Sequence, residues 1–326
     1  MYNKKETSSK PTFDGQDTWR RELKDMYICV DVGGTAIKYG LVDGTGGFTS
    51  RGSIPSEAKR YGGPGIVRKV RHIIAAAAVS ETLEGIAIST AGIVDAEEGR
   101  VRYAMAESIP AYTGTAWRER LTREFHLPCA VENDVNCAAL GEMWLGAGRG
   151  CTSLFCMTVG TSIGGCAVYN GRIIRGAADS AGEIAYMRIP GGRMHELVSA
   201  ARLIRDVAQA RGMREENLDG PTVFEWAAKG DAAAQQALCT LTEHLADGIS
   251  NVIAVLNPQA VILGGGIMAQ ERLLRPLLEK ALRERLIPDV YQHTKIAFAA
   301  LRNDAGMLGA LYHLQQQMIQ AGRSVR

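Results

Sequence analysis

Two strand–glycine turn–strand units, Val30-Asp31-Val32-Gly33-Gly34-Thr35 and Thr158-Val159-Gly160-Thr161-Ser162, constrain the fold of this chain more than any other feature. Each joins two apolar, β-branched runs through a turn that carries glycine and a hydroxyl. One stands near the start of each half, the pattern of a duplicated lobe rather than of a single extended sheet. Between and after them strands alternate with helical spacing. Strands are expected at Tyr27–Val32, Ile37–Val42, Gly85–Ser89, Cys129–Glu132, Ser153–Val159, Ile163–Tyr169, Ala260–Leu263 and Lys295–Ala299. Helices are expected at Ile66–Val79, Ala116–Phe125, Val135–Leu145, Leu197–Ala210, Ala232–Leu256, 271–286 and Ala305–Gln317. Such alternation argues an α/β architecture. The expected organisation is a leader over 1–25, a first lobe over 26–125 completed by the C-terminal helix 305–318, and a larger lobe over 126–304. Pro128 marks the break.

Glycine is the compositional anomaly: 37 of 326 residues, with only 10 prolines, so the excess belongs to specific turns and not to low complexity. Hydrophobic residues at 46% and charged residues at 22% describe an ordinary globular core. A formal net charge of +2 gives no electrostatic reason to expect nucleic acid or a membrane surface as partner. No apolar run reaches the ~18–20 residues of a membrane span. The first 25 residues are polar and charged, without the apolar stretch of a secretory signal. Seven cysteines with no CxxC pair read as buried free thiols of a reducing cytoplasm.

Glycine between strands lets backbone amides approach a polyphosphate, because no Cβ intervenes. A carboxylate at the end of the first strand can hold Mg²⁺ through water, and hydroxyls can bond phosphate oxygens. Asp31, Gly33, Gly34 and Thr35 supply this set, with Lys38 three residues on; Gly160 and Thr161 supply a second. Either loop alone is equally an ordinary hairpin turn; the pair is the signal. Nothing matches GxxxxGK[ST], and no GxGxxG runs from a strand into a helix, which disfavours P-loop NTPases and simple dinucleotide-binding dehydrogenases.

Glu132-Asn133-Asp134 stands where a buried strand meets a helix. A helix N-cap accounts for one polar residue there, but not for three in succession at the C-terminal end of a strand, where α/β ligand sites cluster. With an ordinary pKa of ~3.9, Asp134 would be ionised at pH 7 and able to accept a proton from an alcohol. Glu183 and Tyr186 in Ala181-Gly182-Glu183-Ile184-Ala185-Tyr186, and Glu196 after His195, add polar groups suited to a polyol.

These pieces, with Val159-Gly160-Thr161-Ser162-Ile163-Gly164-Gly165 and Leu263-Gly264-Gly265-Gly266, occur in one order and together resemble the ROK family of sugar kinases over residues 26–318. The resemblance implies an actin-like (ribonuclease H-like) ATPase fold, two lobes around a central cleft, with ATP, Mg²⁺ and a sugar meeting between them. It implies Asp134 as general base toward the sugar's 6-hydroxyl. Gly92, Asn133, Glu183, Tyr186 and Glu196 would be sugar contacts. Asp31, Gly34, Thr35 and Thr161 would face the phosphates and Mg²⁺, and Gly265 and Gly266 the adenosine. A homodimer is the assembly common in the family.

Two departures qualify the match. Family members often bind a structural zinc through a histidine after the Gly-Glu pair and a cysteine cluster. Here that histidine position is Tyr186, and Met187–Glu196 contains no cysteine, so no zinc site is expected. The pattern is similar to the branch of β-glucoside kinases and unconventional N-acetylmannosamine kinases, leaving glucose, N-acetylmannosamine and β-glucosides open as substrates. Ala91 replaces the family's usual proline before Gly92. A sugar-binding ROK-type transcriptional regulator is the alternative. It expects a winged helix-turn-helix ahead of the core, and the 25 residues before Met26 carry no such pattern. An actin-like structural ATPase would explain the glycine turns but not Asn133, Asp134 and Glu183.

Overall fold

The computed structural model describes residues 25–322; the expected leader lies, apart from Asp25, outside the described residues. The first sheet begins as an antiparallel meander of β1 (Met26–Val32), β2 (Ala36–Asp43) and β3 (Phe48–Pro55). The chain continues through α1 (Ala58–Ser80) to β4 (Leu83–Thr90), which runs parallel to β1. A small hairpin, β5 (Ile93–Asp95) and β6 (Arg100–Tyr103), and α2 (Trp117–Phe125) lead to β7 (Cys129–Asn133), parallel to β4. β1 is central because it is apolar on both sides: Tyr27, Ile28, Cys29, Val30 and Val32 are all at most 1% exposed. Ile28, Val30 and Val32 pack toward Ile66, Val70 and Ile74 of α1 on one face, while Tyr27 and Cys29 join the C-terminal helix on the other.

From β7 the chain passes directly into α3 (Asp134–Leu145) and then builds a second sheet. Its meander is β8 (Leu154–Val159), β9 (Ile163–Tyr169) and β10 (Arg172–Ile173). A two-residue ribbon of β11 (Arg188–Ile189) and β12 (Gly192–Arg193) precedes α4 (Met194–Leu197), α5 (Ala200–Ala210), α6 (Gly220–Ala228) and α7 (Ala232–Leu256). Then come β13 (Ala260–Gly264), α8 (Glu271–Arg285), α9 (Pro288–His293), β14 (Lys295–Phe298) and α10 (Ala305–Gln320). The sheet orders, β3-β2-β1-β4-β7 and β10-β9-β8-β13-β14, repeat the same sequence of antiparallel and parallel neighbours. The two glycine turns thus mark equivalent β1–β2 and β8–β9 hairpins of a duplicated lobe.

Some expected boundaries move. The helix expected over Leu197–Ala210 divides at Val198–Ser199, because the Ser199 hydroxyl leaves the helix to accept the Arg202 N–H at 3.2 Å and cap α5. α6 opens after an Asp219 cap with Pro221 in its first turn, a start signal not used above. The break expected at 125–126 also shifts, since β7 is the fifth strand of the first sheet.

α3 and α10 cross where each presents a glycine. A side chain on Gly309 would run into the Cys137 carbonyl, and one on Gly141 would come within 2.6 Å of the Ala305 carbonyl oxygen. Glu142, fully buried, completes the junction. Its carboxylate accepts the N–H groups of Ala147 at 2.7 Å, Ala300 at 3.1 Å and Leu301 at 2.8 Å. The segment returning from β14 to α10 is thereby tied to the segment leaving β7.

Candidate active site

The carboxyl ends of the parallel strands in both sheets carry the polar residues singled out in the sequence. In the first sheet Asp31 pairs in register with Ser89, Ser89 with Glu132, and Thr90 with Asn133. At the β7–α3 corner the backbone of Asn133 is extended, and its side-chain oxygen caps α3 by accepting Val135 N–H at 2.9 Å and Asn136 N–H at 3.1 Å. Its amide nitrogen donates to the Gly92 carbonyl at 2.9 Å and to Asp134 Oδ1 at 3.0 Å. One residue therefore links the helix start, the Gly92 loop and the carboxylate beside it.

Asp134 opens the helix, a position that ordinarily favours an ionised acid. Its pKa is nevertheless pushed up from 3.8 to about 7, because burial outweighs the helix end and the Val135 N–H, with the charges of Asp31 and Glu183 adding repulsion. The carboxylate expected to be fully ionised at pH 7 is therefore poised near half-protonation. It faces a cavity of about 580 Å³ whose lining includes Gly92, Asn133, Asp134, Glu183 and Tyr186. Asp134 and four of the five other expected sugar contacts come together there. Glu196 does not: it is exposed, and its carboxylate accepts the Arg193 N–H at 3.0 Å in a capping box of α4. Glu183 is itself pushed up by burial. Tyr186 is 57% exposed, with its ring edge-on to His195.

The expected phosphate-side residues lie outside the cavity lining and flank it. Burial raises the Asp31 carboxyl, opposed by the Ser89 hydroxyl, which donates to Oδ1 at 2.6 Å, and by the Lys38 charge. A half-buried carboxylate with one hydroxyl donor suits a hydrated divalent cation, and Asp31 fits such an ion in its chemistry. Lys38 Nζ donates to Asn303 Oδ1 at 3.0 Å. The Gly33–Thr35 turn is held by Ser56, which donates through Oγ to the Gly34 carbonyl at 2.6 Å and through N–H to the Thr35 carbonyl at 2.9 Å. Thr158 pairs in register with Gly264, which brings the Gly160–Thr161 turn and Gly265–Gly266 to one end of the second sheet. Gly265 has φ +91 and sits against Val159, a place only glycine tolerates.

Two residues of the site escaped the sequence reading. Ser89, the donor to Asp31, was signalled only by a hydroxyl at the end of a buried strand. Arg175 follows β10, and its Nη2 donates to Glu132 Oε2 at 2.6 Å; Glu132 is fully buried. Among the described residues, no group of three or more His, Cys, Asp and Glu is placed to hold a metal by protein ligands alone, and five of the seven cysteines are buried.

Comparison with known proteins shows which family the chain belongs to. A β-glucoside kinase of Listeria monocytogenes is 31% identical over 295 residues, covering 88% of this chain and 96% of its own. An uncharacterized protein of Clostridium perfringens is 44% identical over 291 residues, covering 89% and 98%. The solved structure of a ROK family glucokinase from Streptomyces griseus, in complex with glucose and AMPPNP, superposes with a TM-score of 0.78 at 27% identity, over 89% of this chain and 99% of that one. The architecture is the actin-like ATPase fold. Residues 27–317 match the ROK family, and the chain belongs to it.

Proposed function

We propose that this chain, a carbohydrate phosphotransferase of the ROK family, transfers the γ-phosphoryl group of ATP to the 6-hydroxyl of a hexose-type sugar. The observation that carries the reading is Asp134: a carboxylate facing the cavity, its oxygen held by Asn133, with a pKa of about 7. A general base works best when its pKa lies near the working pH. Asp134 would take the hydroxyl proton as the sugar oxygen attacks the γ-phosphorus and the bond to the ADP oxygen breaks. Asn133, Glu183, Tyr186 and the Gly92 loop would orient the sugar. Asp31, Gly34, Thr35, Gly160 and Thr161 would hold the phosphates, with Gly265 and Gly266 under the adenosine. Mg²⁺ held near Asp31 would neutralise charge on the phosphate oxygens. Positioning and charge neutralisation supply most of the catalysis in phosphoryl transfer.

Glucose, N-acetylmannosamine and β-glucosides such as cellobiose are the acceptors to try. A coupled assay of ADP release, run with each sugar and without sugar, tests the proposal. Sugar-dependent ATP consumption supports it, and equal rates with and without every sugar would refute it.

A further inference from the structure

Arg175 belongs to the second lobe, yet its guanidinium reaches the corner that carries Asp134. While Glu132 Oε2 receives Arg175, Oε1 of the same carboxylate accepts the Asn133 N–H at 2.7 Å and Asn136 Nδ2 at 2.9 Å. The Arg175 backbone has a second role. Its carbonyl accepts the Ala181 N–H at 3.0 Å, closing a loop over 175–181. Ser180 of that loop and Glu183 just after it line the sugar cavity. The loop is also tied to the β5–β6 hairpin, where Asp179 pairs with Arg102 of β6 at 2.9 Å. A single residue thus connects the strand end behind Asp134 to the segment that presents Glu183.

Stability gives little reason for such an arrangement. Desolvating two charges offsets most of their attraction, and an apolar replacement of a buried pair is often neutral or stabilising. Arg175 Nη1 is moreover buried without a hydrogen-bond partner, a further cost. We propose that the Glu132–Arg175 pair is a positioning device that sets the acceptor-holding segment 175–183 in register with Asp134 across the two lobes. The idea rests on Asp134 and Glu183 acting on the sugar as described above.

Three variants test it: Arg175→Met, Arg175→Lys and the double variant Glu132→Gln/Arg175→Met. Each is assayed for kcat, KM for sugar and KM for ATP, with sugar affinity measured by calorimetry and folding by thermal melting. Misplacement by about 1 Å can cost on the order of 10²-fold. Arg175→Met should therefore lower kcat/KM for sugar by roughly 10–100-fold. Sugar KM should rise and calorimetric affinity fall, with KM for ATP unchanged. Arg175→Lys keeps a donor to Glu132 and should recover part of the loss. The double variant should melt no lower than wild type while staying as slow as Arg175→Met. A folded Arg175→Met with wild-type kcat and sugar KM would overturn the proposal. So would full recovery in the double variant, because the loss would then come only from an unpaired Glu132 charge. Asp134→Asn, run alongside, keeps the two readings apart: if it retains normal turnover the base assignment fails, while the sugar titration still decides the role of Arg175.

Discussion

Replacing Asp134 by asparagine should make the protein more stable and nearly inactive at the same time. The carboxyl is pushed from 3.8 to about 7 on folding, chiefly by burial and then by Asp31. A raised acid pKa means that folding is disfavoured once the group ionises. The penalty is absent below pH ~4, grows as pH rises, and is complete above about 7. At about 1.4 kcal/mol per pH unit the ceiling is roughly 4 kcal/mol. The cavity is open to solvent, which softens the burial, so about 2 kcal/mol is the expected gain at pH 8. The amide is nearly isosteric, and its oxygen can still accept from Asn133 and from Val135, whose N–H lies 2.9 Å from Asp134 Oδ1. In a chain of this size about 2 kcal/mol raises Tm by roughly 3–5 °C. Melting both proteins at pH 8 and pH 5 isolates the effect, since every other titrating group is common to them; at pH 5 the gain should fall to less than half. Turnover should drop by about 10²–10⁴, as expected for a lost general base. An Asp134→Asn protein that melts at or below wild type at both pH values would refute the burial argument. Near-normal turnover would refute the base assignment.

Further outcomes follow from the same geometry. For the wild-type enzyme, kcat/KM should fall as pH drops below about 7, because protonation at Asp134 removes the base; a flat profile from pH 5.5 to 8 would contradict this. Gly309→Ala would drive a methyl group into the Cys137 carbonyl and should destabilise by roughly 2–4 kcal/mol, read by denaturant unfolding, whereas a cost under about 0.5 kcal/mol would show that the helices separate freely. Tyr186→Ala should leave Tm within about 1 °C, because the ring is 57% exposed, while raising KM for sugar with kcat largely kept; an unchanged KM would remove Tyr186 from the sugar site.

What was legible in the sequence was local. The paired hairpins announce themselves because a glycine turn between apolar runs is set by neighbours in the chain, and Asn133-Asp134 because polar residues rarely end a buried strand without reason. What was hidden depends on distant partners. β7 joins the first sheet through parallel pairing with β4, which no local pattern encodes. Ser89 and Arg175 acquire their roles from Asp31 and Glu132, 58 and 43 residues away. Glu196 lies outside the cavity lining, and one oxygen of its carboxylate accepts the Arg193 N–H three residues back, a local engagement that the motif beside it does not announce. The protonation state of Asp134 was illegible for a related reason, since residue type sets only the starting pKa and the surrounding protein does the rest.

The junction of α3, α10 and Glu142 bears on how the two sheets can move relative to each other. The chain passes between the sheets outward from β7 and back from β14, and both passages are fastened to each other at one place. For any swing of one lobe on the other, these two passages would form a hinge with a single pin, and the Arg102–Asp179 and Arg175–Glu132 pairs would be latches across it. Swinging one lobe leaves points near the pin almost still and carries distant points furthest. Asp134, the first residue of α3, stands three residues before Cys137, whose carbonyl meets Gly309 at the pin. With Asp134 as the base proposed above, a swing about this junction would admit and release a sugar while hardly changing the aim of that carboxylate.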